Sequence, residues 1–256
     1  MYINIYNVIR TYLYTFFLLK NRFICVIIIL LFLWGEKDMN WLGLLVSFTY
    51  IALVIVSAKM FEKRGKEISR KFIHIMLGNW GIIAMFFFDN VWFASIGPAV
   101  FVIVNYLSYK KNIIKVMERE EQDGFGTVYY ALSLLILSIV SFGILKNPAI
   151  GLIPTLVLAY GDGLAAIVGK KIKSKRYKLG DTKKSFAGSL TMFLISFVLI
   201  GGYLFFMYND MFFTTTHWPL VTAMMAFCIT AIEGVSGKGI DNISVPISTL
   251  IILLLI

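Results

Sequence analysis

Residues Leu158–Leu190 read LAYGDGLAAIVGKKIKSKRYKLGDTKKSFAGSL. The stretch starts inside an apolar run and carries Asp162 there among small residues. It then crosses a loop crowded with lysines and reaches Lys183-Lys184-Ser185 at the mouth of the next apolar run. Apolar run, basic loop, apolar run is the order of a chain that crosses a membrane and returns. An acid at membrane depth is costly and marks a functional position by default.

The rest of the chain has the same character. Of its 256 residues 59% are hydrophobic, and the mean hydropathy is +0.82; a soluble domain is about 45–50% apolar. The apolar runs are continuous, without the ~10-residue alternation of an outer-membrane barrel. They fall at 23–34, 41–58, 72–88, 91–108, 127–145, 149–169, 186–207, 218–233 and 243–256. With about 20 residues needed per span, these runs predict an all-α, polytopic membrane bundle of about eight or nine transmembrane helices. Residues 1–39 read as an extension with a short hydrophobic helix, Met39 as a candidate natural start, and 40–256 as the membrane-embedded domain. Cys25 and Cys228 lie far apart in apolar runs, with no redox or metal spacing.

The net charge of +10 raises the question of nucleic acid, and its distribution answers it. The basic residues sit in short loops between apolar runs. With the loop 59–71 inside and the runs alternating, every Lys and Arg except Lys37 and Lys146 falls on the cytoplasmic side. The polar residues of chemical interest fall there too, where nucleotides are. The expected location is the cytoplasmic membrane, with the site facing the cytoplasm.

Five constellations stand on that side. Arg70 and His74 are four apart, on one helical face, with Lys71 beside them; this suits gripping phosphate or moving a proton, unless the cations merely flank a span. Glu121–Thr127 places Asp123 before a Gly-Phe-Gly turn, a candidate loop over a ligand or a plain turn. Gly161-Asp162-Gly163 precedes Gly169-Lys170, and an acid so placed should hold Mg²⁺, a lysine or a substrate hydroxyl. Lys183-Lys184-Ser185 with Gly188 opens a helix whose free N–H groups suit phosphate, although the glycine lead-in of a Walker loop is absent. Glu233 ends a helix before a glycine-rich turn, and Asp241-Asn242 open the next. Acids with two lysine clusters imply a polyphosphate and a divalent cation. The acceptor would come from the bilayer.

The order Arg70-Lys71-x-x-His74, Gly161-Asp162-Gly163 through Gly169-Lys170, Lys183-Lys184-Ser185-x-x-Gly188, then Glu233 and Asp241-Asn242-x-x-x-Pro246 resembles the CTP-dependent lipid kinases. That group comprises phytol kinase, dolichol kinase and CTP-using diacylglycerol kinase, related to phosphatidate cytidylyltransferase. The resemblance covers about 60–256. It implies transfer of the γ-phosphate of CTP to a lipid alcohol with Mg²⁺. Asp162 would ligate metal or orient the hydroxyl, with Glu233 and Asp241 as further metal ligands. Arg70, Lys71, Lys183 and Lys184 would bind the triphosphate, His74 would belong to the catalytic group, and Gly161, Lys170, Ser185, Gly188 and Asn242 would line the nucleotide. Ala187 stands where dolichol-kinase-like members carry Glu, and Asp181-Thr182 where cytidylyltransferases carry Ser-Pro, so the chain leans to the phytol-kinase branch. The rival expectations are a CDP-lipid-forming cytidylyltransferase and a non-enzymatic lipid or ion transporter.

Overall fold

The computed structural model describes residues 36–111, 125–179, 182–214, 217–237 and 239–255. The run 23–34, most of the 1–39 extension, and Glu121–Gly124 with Asp123 lie outside the described residues.

The helices follow the apolar runs. Helix α1 (Glu36–Ala58) continues as a tighter 3₁₀ stretch, Lys59–Arg64. Helices α2 (Lys66–Gly78) and α3 (Trp80–Phe87) are two halves broken at Asn79, which is held between the phenols of Tyr50 and Tyr160. Helix α4 spans Val91–Lys111, and α5 (Gly126–Ser138) widens into a π-helical stretch, Ile139–Ile144. Helix α6 (Pro148–Leu156) passes through a second π-helical stretch, Val157–Asp162, into α7 (Gly163–Lys171). After the loop come α8 (Phe186–Thr214), α9 (Trp218–Val235) and α10 (Asp241–Leu254).

Among the described residues six helical stretches are long and apolar enough to cross a membrane: Met39–Lys63, Val91–Lys111, Gly126–Ile144, Pro148–Lys171, Phe186–Phe206 and Trp218–Val235. Helix α10 is a shorter apolar one. Large apolar side chains such as Leu45, Trp92, Val198 and Phe227 point outward, where hydrocarbon rather than water receives them. This is an integral membrane helical bundle.

Inside, two hydrophobic clusters meet. One is built on α1 to α5, around Trp80, Phe88 and Leu134; the other on α6 to α10, around Met192, Ile229 and Val245. The π-helical stretch before α7 runs between them, with Leu158 in the first cluster and Val157 in the second. Small residues permit the crossings, as membrane interfaces require. Gly78 packs on Ala159, Gly163 on Ile75, and Gly188 on the backbone of Ala165. Asp162 is thereby held at the centre of the bundle, near its loop-rich end.

The lysine loop is not irregular throughout. Strands β1 (Arg176–Leu179) and β2 (Thr182–Ser185) pair as an antiparallel hairpin with Tyr177 opposite Lys184 and Lys178 opposite Lys183. The hairpin folds back on the bundle end and turns Lys184 inward, while Lys183 stays at the rim.

Candidate active site

A cavity of about 270 Å³ opens beneath the hairpin between α2, α7, α8 and the facing ends of α9 and α10. Six basic and four acidic side chains line it. From α2 come Arg70 and Lys71; from the π-helical stretch, Asp162; from the end of α7, Lys170. The hairpin brings Lys183, Lys184 and Ser185, α8 brings Gly188, and the last two helices bring Glu233 and Asp241.

The centre of the site is a set of ion pairs. Lys71 Nζ lies 2.6 Å from Asp162 Oδ2, both side chains almost wholly buried. Lys184 donates to Glu233 and stands 3.6 Å from Asp241. Burial opposes the charge on Lys184, but Glu233 and Asp241 outweigh it and hold its pKa above the ordinary lysine value of 10.5. Arg70 is gripped by Glu67 through Nη2 at 2.7 Å and Nε at 3.2 Å. Burial pushes the Glu67 carboxyl up, and the Arg70 guanidinium more than reverses this, so its pKa lies below the usual value. Asp162, Glu233 and Asp241 each present an oxygen within 4.8 Å of the other two. Three carboxylates in that compass, all hard oxygen donors, fit a cation such as Mg²⁺.

His74 stands directly behind Asp162. Its Nε2 is 3.3 Å from Asp162 Oδ2 and 3.2 Å from the Leu158 carbonyl, and its ring packs on Tyr130. Both neighbours of Nε2 are acceptors, so the neutral ring carries its proton there, which leaves the Nδ1 lone pair as a base. Asn242 lies apart from the main cavity: with Arg70 and His74 it lines a smaller adjoining space. Gly161 packs against Met192, which lets α8 approach closely, and lines neither of these two spaces.

The start of α8 differs from the sequence expectation. Free backbone N–H groups were expected there to receive phosphate. Instead Phe186 N–H donates to the Lys175 carbonyl, Ala187 N–H to Ser174 Oγ and Gly188 N–H to Ser185 Oγ. Ser185 is therefore an N-cap, and the loop that carries it consumes the helix's own donors. The cationic side chains are left to hold an anion. Asp162, for its part, pairs with Lys71 rather than with Lys170 or Arg70.

This arrangement can be set beside known proteins. A phytol kinase of Synechocystis sp. is 31% identical over 217 residues, 83% of this chain and 90% of that protein. The chain belongs to the phytol kinase family. Phytol kinase 1, chloroplastic, of Arabidopsis thaliana is 28% identical over 77% of this chain and 70% of its own length. No family model matches the chain. No solved structure matches it.

Two charged residues of this phytol-kinase-family site were not singled out from sequence. Glu67 orients Arg70 and stands 3.7 Å from Lys170, and its signal was the i, i+3 spacing to Arg70. Arg176 lines the cavity from β1, and nothing in the lysine-rich loop separated it from its neighbours.

Proposed function

We propose that the chain transfers the γ-phosphate of CTP to the hydroxyl of a membrane lipid alcohol, giving the lipid monophosphate and CDP at the cytoplasmic face. The observation that carries this is one cavity in which three carboxylates meet two buried or half-buried lysines, Lys71 and Lys184. Phosphoryl transfer asks for positioning and charge stabilisation, and this lining is built for both. The family relatives named phytol kinase favour an isoprenoid alcohol as acceptor. Polyprenol or dolichol and diacylglycerol are the other acceptors the motifs suggest. CTP as donor rests on the motif resemblance.

In this reading the acceptor oxygen attacks the γ-phosphorus, and the bond from that phosphorus to the β-bridging oxygen breaks with its electron pair leaving on CDP. The hydroxyl proton passes to His74, which Asp162 orients through Nε2. Asp162, Glu233 and Asp241 would hold Mg²⁺, which neutralises charge building on the phosphates. Lys71 and Lys184 lie within the same cavity and would hold the phosphate oxygens. Lys183, Lys170 and Arg70 draw the triphosphate in from the rim. Ser185 and Gly188 shape the floor against the phosphates.

Incubating purified protein and Mg²⁺ with phytol, a polyprenol, diacylglycerol or phosphatidate, and CTP labelled at the α or the γ position, tests the reading. Label from the γ position in an alcohol's product is expected. Label from the α position on phosphatidate would replace it with nucleotidyl transfer, and no labelled lipid at all would end the enzymatic reading.

A further inference from the structure

Two smaller spaces adjoin the main cavity in turn through shared lining residues. The first is lined by Arg70, His74, Leu77, Asn105, Tyr130 and Asn242, among others, and shares Arg70 with the main cavity. The second shares Leu77, Asn105 and Tyr130 with the first and adds Trp80, Gly97 and Phe101. Through the shared residues the linings pass from cations, by way of an imidazole and an amide, to a mainly apolar one between α1, α3, α4 and α5. Each narrow space measures about 30 Å³. Each is small, with room for slender groups rather than for a bulky one.

An unmet polar atom marks the junction. Asn242 is 7% exposed, and its Nδ2 donates to the Gly126 carbonyl at 2.8 Å. Its Oδ1 has no hydrogen-bond partner among the described residues. A buried acceptor left bare is unfavourable, and a hydroxyl donor would satisfy it. His74 lines the same space and reaches Asp162 in the main cavity.

We propose that the acceptor's hydroxyl waits on Asn242 Oδ1 beside His74, with one hydrocarbon chain threaded past Leu77 and Tyr130 into the Trp80–Gly97–Phe101 space. This rests on the phosphotransfer reading for its chemistry, and it goes beyond it by fixing where the lipid lies. Gly97 sets the bore: a Cβ there would sit in ordinary contact, 3.7 Å from the Trp80 ring, so that only a longer side chain fills the space. Ala131 on α5 bounds it from the other side.

Trp80 supplies the readout. A variant that keeps it as the only tryptophan, with Trp34, Trp41, Trp92 and Trp218 changed to Phe, is titrated with 18-carbon alcohols brominated at successive positions. Saturable quenching of Trp80 is expected, displaced by phytol and reduced at least tenfold in apparent affinity by Gly97→Leu. Ala131→Leu on a different helix should do the same, and either filling variant suffices if the other does not fold. In the kinase assay the ratio of kcat/KM for phytol to that for 3-methylbut-2-en-1-ol should fall at least tenfold in the same variants. Absent quenching or indifference to both fillings would overturn the proposal. Quenching without transfer from CTP would sink the kinase reading and keep the lipid site; transfer without quenching would do the reverse.

Discussion

Lys71 and Asp162 stand 91 residues apart in sequence and meet through a 2.6 Å contact that ties α2 to the centre of the bundle. A buried pair of this kind contributes little net stability, but breaking it from one side leaves an unpaired charge, at a cost of about 3–5 kcal/mol. Lys71→Met is therefore expected to unfold at clearly lower temperature in detergent, while the double variant Lys71→Met, Asp162→Leu regains stability and stays inactive. Asp162→Asn keeps a neutral hydrogen-bond acceptor for Lys71, so it should fold in detergent with a lowered melting temperature and lose at least ~10²-fold in turnover, the scale of a disturbed proton-transfer group. Full activity in Asp162→Asn would remove that residue from the mechanism.

Lys184 gives a pH prediction. Its folded pKa is raised above 10.5 by Glu233 and Asp241, so its contribution to stability is complete below that value and fades as pH climbs through the raised one. The melting-temperature gap between the parent protein and Lys184→Met should stay constant from neutral pH to about 10, then close at higher pH. A gap that closes between pH 6 and 8 would mean that another group is titrating.

Glu233 tests the cation. If it shares a metal with Asp162 and Asp241, then Glu233→Gln should raise the Mg²⁺ concentration for half-maximal activity by about tenfold or more, one ligand charge being worth at least ~1.4 kcal/mol. Chelator should abolish transfer in the parent protein. An unchanged Mg²⁺ dependence in the variant would take Glu233 out of the ligand set.

Two glycines should behave in opposite ways. A Cβ on Gly78 collides with Ala159, whose helix has no room to retreat, so Gly78→Val should destabilise by about 1–3 kcal/mol and separate α2 from Asp162. Gly202 on α8 has nothing within 4 Å of its missing Cβ, and Gly202→Ala should stabilise by about 0.5–1 kcal/mol. Thermal melts of both variants in one detergent would decide.

The membrane class was legible in the sequence because hydropathy is a property of consecutive residues. That the lysine loop and α2 share one end of the bundle was legible because the lysines of 170–184 and the cations of 59–71 fall in alternate loops. The fate of the α8 amides was not legible, since their acceptors are the Lys175 carbonyl and a serine on the far side of the hairpin. Nor was the separation of Asn242 from Asp241, neighbours in sequence that face different cavities.

The π-helical stretch Val157–Asp162 carries more residues per turn than the helices on either side of it. An α-helix advances about 100° per residue, so the phase of everything after Leu156 hangs on that surplus. Deleting one residue between Val157 and Tyr160 would let the stretch close into plain α-helix with the phase of Asp162 nearly kept, whereas inserting one more would swing its carboxylate about 100° off Lys71 and His74. The π-helical stretch thus takes up one residue beyond what plain α-helix would hold, and Asp162 keeps its face through that winding rather than through any side chain.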